Sequence, residues 1–418
     1  MAKLNLTKSY MINKVIIPLI IGLLVVGAFI VIPLLFNGSN NPENGLNSGL
    51  EQKEEHAAEK PVKLEIVCVG DIMIHEPQLA SQYDAETGVY DYNNNFKYVK
   101  KYIEKADLAI GNFEGTFGGK PYSGYPAFST PDELASALKA TGFDVAVTAN
   151  NHMVDTGNAG LIRTLEVLRA AGLTTSGSRI DPSEPRYSIN KVNGVNVGII
   201  SYTYESPGNG TDVAINGNYI SDETAQLINS FSYNRLDVDL EKIKTVIDEA
   251  KKEGADIIVL YLHWGEEYQQ VPNKWQEQIV KSAVEEMNVD VIFASHTHVI
   301  QKMEMVRSVT TGKDVPVFYS MGNFISNQRE ETVQNRYTEQ GMIARVELEY
   351  MAGTGDMLSV KMSYTPTWVD KYKRAGKTVY EVIPLDEEME TNPTLIESGH
   401  LQKAKQALED INGILKIN

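Results

Sequence analysis

Cysteine is almost absent from this 418-residue chain. Cys68 stands alone, so neither an internal disulfide nor a thiolate zinc cage can form. Set in the apolar run LEIVCVG, it reads as a small buried core residue. Basic clusters are missing too: 38 Lys and Arg face 55 Asp and Glu, for a formal net charge of −17. Such a surface repels phosphate backbones and excludes nucleic acid as a partner. It also weighs against simple electrostatic capture of any other polyanion. No GxxxxGK[ST] loop occurs, so the chain lacks the usual cradle for nucleotide-driven polymer synthesis. Internal repeats are absent.

Long apolar runs are equally scarce, with one exception. Val15–Phe36 holds 22 residues without a charge, and a helix needs about 20 to cross the hydrocarbon core. Lys3, Lys8 and Lys14 precede it and the next basic residue is Lys53. That asymmetry predicts residues 1–14 in the cytoplasm, a single transmembrane anchor at 15–36 and an extracytoplasmic main domain at the cell membrane. A cleaved signal peptide is the alternative, though its apolar region is normally about 7–15 residues long. Residues 37–61, rich in Asn, Gly and Glu without apolar period, read as a flexible tether.

From residue 62 to about 385, short apolar runs alternate with helical patterns, which predicts an α/β domain. The strands are LEIVCVG, DLAIGNF, FDVAVTA, NVGIISYT, ADIIVLYL and VDVIFAS, followed by hairpin-like runs beyond Gln301. Between them lie an amphipathic segment over Phe96–Lys105 and helices ending at Gly142 and Gly172, then helices over Leu236–Glu253 and Lys274–Met287. The polar stretch Tyr204–Arg235 is long enough to be a lid or an insertion. Residues 386–418 form a loosely amphipathic helical tail.

Polar residues gather where these strands end. Asp71 and His75 follow the first, Glu114 the second, and Asn150, Asn151, His152 and Asp155 the third. His263 and Glu266 follow ADIIVLYL, and His296 and His298 follow VDVIFA. Ligands of open α/β sheets collect outside the carboxyl ends of strands. Each residue has an ordinary reading: a turn-shaping Asp71, a helix-capping Asp155, a solvated Glu114. Yet five of the seven histidines lie in these segments, which independent structural roles would not arrange. Carboxylates, an amide and imidazoles without thiolate suit Mn, Fe, Zn or Mg. Two such ions sharing a carboxylate form the usual arrangement for phosphoester hydrolysis.

The motifs GDIMIHEPQL, NFEG, TPDELASALKATGFDVAVTANNHMVDTG, HWGEEY, SHTHVIQ and YSMGNFI, in that order, resemble those of the CapA family. These are poly-γ-glutamate capsule synthesis proteins related to the metallophosphoesterases. The resemblance implies a metallophosphoesterase-like two-sheet β-sandwich flanked by α-helices, with a calcineurin-like centre for two divalent metals. Asp71 and His298 would hold the first metal, Glu114 would bridge, and Asn151, His263 and His296 would hold the second, with His75 a further candidate ligand. His152, oriented by Asp155, would be the general acid. Asn150, Glu266 and Asn323 are candidate substrate contacts. The chain departs from the wider superfamily in spacing His75 four residues after Asp71 and in placing a Glu at the bridge. Membrane proteins of polymer synthesis are the partners this resemblance implies, and an anionic polymer or phosphoester the substrate. An independent cell-surface hydrolase and a non-enzymatic scaffold are the alternatives.

Overall fold

The computed structural model describes residues 60–207, 209 and 211–415. The segment 1–14, the apolar run 15–36 and nearly all of the tether fall outside them. Among the described residues no helix is long and apolar enough to cross a membrane.

Two mixed sheets, of eight and seven strands, make the body. Numbering strands along the chain, the first sheet contains β1 (Val62–Ile72), β2 (Leu108–Phe113), β3 (Val145–Val147), β4 (Thr174–Ser176), β12 (Asn323–Ile325), β13 (Gln340–Met351), β14 (Asp356–Arg374) and β15 (Lys377–Pro384). Its order is β15-β14-β13-β1-β2-β3-β4, with β12 pairing beside the end of β1. The second contains β5 (Ser188–Val192), β6 (Val195–Tyr204), β7 (Ser230–Phe231), β8 (Ile257–His263), β9 (Val291–Ser295), β10 (Met303–Arg307) and β11 (Asp314–Phe318). There the order is β7-β6-β8-β9-β11-β10, with β5 beside β6.

Alternation along the strands sends one set of side chains between the sheets and the other outward. Ile66, Cys68 and Ile110 of the first sheet meet Val197, Val259 and Phe293 of the second in a shared core. The opposite faces, through Val67, Val69 and Ala109 on one side and Ile258, Leu260 and Ile292 on the other, are covered by helices. Helices α1 (Glu76–Gln82), α2 (Glu133–Thr141) and α3 (Gly157–Ala170) belong to the first side, α4 (Leu236–Lys252) and α5 (Lys274–Glu285) to the second. The outcome is a two-sheet sandwich flanked by helices. Cys68 is fully buried in its middle, as its apolar surroundings predict.

Three segments take a more particular form than the sequence reading gave. The amphipathic stretch Phe96–Lys105 is not one helix but part of two short turns, Asn93–Phe96 and Lys100–Ile103. The polar stretch after Tyr204 contains a ribbon pairing Ala214–Ile215 with Asn218–Tyr219, the helix Asp222–Leu227 and strand β7. Its Ile215, Leu227 and Ile228 pack with Met153 and Leu161 in a small core of their own. The tail helix α6 (Leu401–Leu415) buries Ala404, Ala407 and Ile411 in the core shared by the sheets.

What matters for function is that the strand ends coincide. Strand β1 runs parallel to β2 and to β12, with Asp71 registered against Asn112 on one side and Asn323 on the other. In the facing sheet β8 and β9 run parallel, with His263 opposite Ser295. Gly70 permits the close approach of the β12 turn: a Cβ there would lie 1.9 Å from the carbonyl oxygen of Gly322. That carbonyl accepts the Asp71 N–H at 3.1 Å and fixes the strand end.

Candidate metal centre

Six residues converge between the two sets of strand ends, all buried: Asp71, Glu114, Asn151, His263, His296 and His298. Asp71 accepts from the Asn112 amide at 2.8 Å, and its other oxygen lies 3.2 Å from His298 Nδ1. His263 Nε2 is 2.7 Å from Asn151 Oδ1 and 3.1 Å from His296 Nδ1. Glu114 stands between the pairs, 3.6 Å from His263 Nε2. Donor atoms of Asp71, Glu114 and His263 lie within 4.8 Å of one another, and so do those of Glu114, His296 and His298. Glu114 is thus common to both groups.

The backbone is bent to bring the two late histidines together. His296 and His298 both have left-handed conformations, with φ of 104° and 58°. Such conformations are uncommon without glycine and persist where the surroundings enforce them. Here Thr297 between them is pinned through its hydroxyl to the Val299 carbonyl and the Ser320 hydroxyl. Further polar residues hold the donors in place. Asn323 Oδ1 lies 3.1 Å from His298 Nδ1 while its amide donates to Gln328 and to the Thr338 carbonyl. Tyr261 donates to the Ser295 hydroxyl, which lies 3.3 Å from His263 Nδ1.

Protonation follows from burial and neighbours. Burial and the adjacent His298 and His152, against the pull of Asp71, lower His263 to about 3. His296 is pushed well below the ordinary histidine range by burial and by His263. Both imidazoles are therefore neutral at pH 7, the form that ligates metals. Asp71 is held well below the carboxylate range despite its burial, by the hydrogen bond and charge of His298. His298 is raised in return, Asp71 outweighing the cost of burial.

Glu114 is the outlier. Burial first, and then Asp71, push its carboxyl well above 4.5. Among the described residues neither of its oxygens has a hydrogen-bond partner. Buried polar groups are almost always satisfied, and an orphan carboxylate is costly. A divalent cation among these oxygens and neutral nitrogens would satisfy it, so the residues present fit a metal.

The same geometry makes a prediction for metal-stripped protein. A carboxyl whose folded pKa is raised stabilises the fold less as pH climbs from its unfolded value toward the folded one. Glu114→Gln removes that loss. Without metal, the variant should melt no higher than the parent near pH 5 and become the more stable by about 1–3 kcal/mol near pH 8. Thermal melts in chelator across that range read the difference; a gap that does not widen with pH refutes a raised Glu114.

Around this cluster the remaining sequence candidates divide. A cavity of about 330 Å³ is walled by His75, His152, His298, Tyr125 and Phe128, among others. His152 Nδ1 lies 2.8 Å from Asp155 Oδ2, which also accepts the Phe128 N–H at 2.7 Å. His75, a candidate ligand from the sequence, lines the same cavity as His298 but belongs to neither donor group. The chain turns after Ile74, His75 becomes the N-cap of α1, and its Nδ1 accepts the Asn327 N–H at 3.3 Å. Burial and His298 lower it to about 4. Asn150 is turned inward, its amide on the Phe113 carbonyl at 2.7 Å and its oxygen on the His152 N–H. Glu266 is exposed, and its neighbour Glu267 lines the cavity. Asn323 supports His298. Sequence reasoning passed over Asn112, although GNFEG sets it two residues before Glu114 and so on the same strand face.

Residues 65–328 match the family described as Bacterial capsule synthesis protein PGA_cap. The chain is 31% identical over 275 residues to the Capsule biosynthesis protein CapA of Bacillus anthracis, covering 64% of this chain and 60% of that protein. It is 30% identical over 268 residues to the PGA biosynthesis protein CapA of Bacillus subtilis, covering 62% of each. It therefore spans somewhat less than two thirds of either relative. Among solved structures, a hypothetical protein from Thermus thermophilus aligns with a TM-score of 0.41 at 12% identity, over 72% of this chain and 99% of the other. The calcineurin-like phosphoesterase YfkN from Bacillus subtilis aligns at 0.41 and 16%, over 73% and 90%.

Proposed function

The chain belongs to the bacterial capsule synthesis family PGA_cap, and from that premise we propose that it supports the synthesis or export of an anionic capsule polymer through a divalent-metal centre facing outward from the cell membrane. Poly-γ-glutamate is the polymer that the family resemblance suggests. The apolar run Val15–Phe36 is the anchor in this reading, and membrane proteins that make the polymer are its partners.

The observation that carries the metal reading is Glu114, a buried carboxylate without a hydrogen-bond partner among neutral imidazoles. Asp71 and His298 would hold one ion, Asn151, His263 and His296 a second, with Glu114 shared. Mn, Fe, Zn and Mg all suit these oxygen and nitrogen donors. Bound there, divalent ions supply Lewis-acid stabilisation of an oxyanion and lower the pKa of a coordinated water.

The chain's own residues account for the rest. Asp155 accepts the Nδ1 proton of His152, fixing the tautomer and leaving Nε2 for a leaving-group proton. Phe128 meets the His152 ring edge-on with centroids 4.7 Å apart, which sets its tilt and keeps water off that face. Among the described residues no Lys or Arg lines the cavity, while Glu267 does. Negative charge on a substrate must therefore be met by the metal cluster, and a chain of many uncompensated carboxylates is repelled at the mouth.

An assay of the full chain on generic phosphodiesters and phosphomonoesters, with and without added Mn²⁺, tests the activity. Metal-dependent turnover supports a hydrolytic role. Bound metal without turnover on either class leaves the centre structural and favours the scaffold reading. Protease shaving of intact cells tests the topology, since a protected main domain contradicts an outward face.

A further inference from the structure

On this acidic chain the half-buried guanidiniums mostly sit against carboxylates. Arg235 contacts Glu205 and Asp239, Arg329 contacts Glu339, and Arg345 contacts Glu65. Arg179 and Arg186, in the connection between β4 and β5, are different. Among the described residues neither forms an ion pair.

Arg179 is only 3% exposed. One of its terminal nitrogens donates to the Gln226 carbonyl, and its Nε has no partner. Arg186 donates to the Ile228 carbonyl at 2.7 Å and to Asn229 Oδ1 at 3.0 Å. The two guanidiniums thus clasp the same short segment. Burial, followed by repulsion from Arg186, lowers Arg179 to about 10. A guanidinium carries five N–H donors in a fork, and these backbone contacts occupy only part of that capacity.

Both arginines line a cavity of about 710 Å³ that shares no residue with the cavity at the metal centre. Its rim at the end of α4 offers Lys252 and the exposed Glu249, with the exposed Glu253 just beyond the helix. The other acid lining it, Glu184, is engaged by Arg169 at 2.7 Å. An adjoining cavity of about 400 Å³ shares Arg186 but not Arg179, and its own Arg235 and Lys242 are both held by carboxylates. Only the first cavity is lined by both unpaired guanidiniums.

We propose that this cavity binds an oxyanion of carboxylate or phosphate type on the paired guanidiniums of Arg179 and Arg186, with Lys252 at its mouth. Planar oxyanions match the arginine fork, and burial strengthens the attraction. The two rim carboxylates limit how much further negative charge can enter, so the ligand is a small molecule or one chain end. It is not a polyanion lying along the surface. The site stands without the metal centre. If the capsule reading above also holds, a terminal carboxylate of the polymer is the natural occupant.

The test is calorimetric titration of the full chain at low ionic strength with three probes: free glutamate, a short glutamate oligomer and inorganic phosphate. Saturable binding of at least one is expected, insensitive to chelator. Arg186→Gln should weaken it about tenfold or more, in line with the loss of a charge-assisted fork, while Lys242→Gln in the adjoining cavity should leave it unchanged. Preference for the glutamate probes identifies a carboxylate ligand, and preference for phosphate a phosphorylated one. Arg179→Gln serves as a second variant, and the partly exposed Arg186 keeps the test valid if that one fails to fold. No saturable binding, equal affinity in Arg186→Gln, or loss of binding in chelator each overturns the proposal. Absence of bound metal in the parent chain with this binding intact would count against the metal reading and leave this one in place.

Discussion

A chain carrying both His263→Ala and His296→Ala should lose its divalent metal, retaining less than about a tenth of the parent's content after dialysis. The two imidazoles lie 3.1 Å apart, are fully desolvated and are held neutral. Losing even an outer-shell partner of a metal ligand typically costs about 10–100-fold in affinity, and here two proposed donors go at once. The substitutions also widen the space beside Glu114 and leave that carboxylate without the nearest groups able to share a cation with it. Elemental analysis checks the outcome, with circular dichroism confirming that the sandwich persists. Metal content equal to the parent's would place the ions elsewhere.

The second large effect separates catalysis from metal binding. His152→Ala should lower any metal-dependent hydrolysis by about 10²–10⁴-fold, the usual contribution of a positioned general acid or base. Metal content should stay at the parental level, because His152 lines the cavity and belongs to neither donor group. Asp155→Asn should act in the same direction through the imidazole it orients. Its effect is compounded by the Phe128 N–H, which then loses its carboxylate acceptor. A variant that loses metal along with activity would make His152 a ligand and contradict this division of labour. Steady-state kinetics alongside metal analysis distinguishes the two.

The strand ends were legible because a period of two needs little context. LEIVCVG, ADIIVLYL and VDVIFAS announce buried strands, and the residue types that follow them announce a site. Parallel pairing then aligns those ends without further instruction, which is why Asp71, Glu114, Asn151, His263, His296 and His298 meet. What needed three dimensions was register and turn geometry. Asn112 earns its place only because it sits opposite Asp71 across β1 and β2. His75 is three residues past the end of β1, and the turn there decides whether it faces the donors or caps a helix. It caps a helix.

Asn150 and Glu266 show the same limit at the scale of one residue. Each lies next to a residue that faces the site, yet Asn150 is spent on the Phe113 carbonyl and on Asn112 Oδ1 behind the donors, and Glu266 is turned to solvent. The polar stretch after Tyr204 was readable as a lid or an insertion, but which of its residues meet the centre was not. Tyr204 packs against the His296 ring at 4.7 Å and stacks with Tyr233, so the start of the insertion forms part of the wall. Arg179 and Arg186 carried no sequence signal at all. Their shared partners, Gln226 to Asn229, lie about forty residues downstream, and a missing carboxylate leaves no motif.

The central claim is that Glu114 is the shared carboxylate of a divalent-metal centre. An anomalous-difference map from crystals grown with Mn²⁺ tests it most directly. Density is expected within about 2.0–2.6 Å of a Glu114 oxygen, the span of metal–oxygen bonds at such centres, with His263 and His296 or Asp71 and His298 completing the shell. A map without density at Glu114, with its carboxyl hydrogen-bonded to a protein neighbour instead, would contradict it.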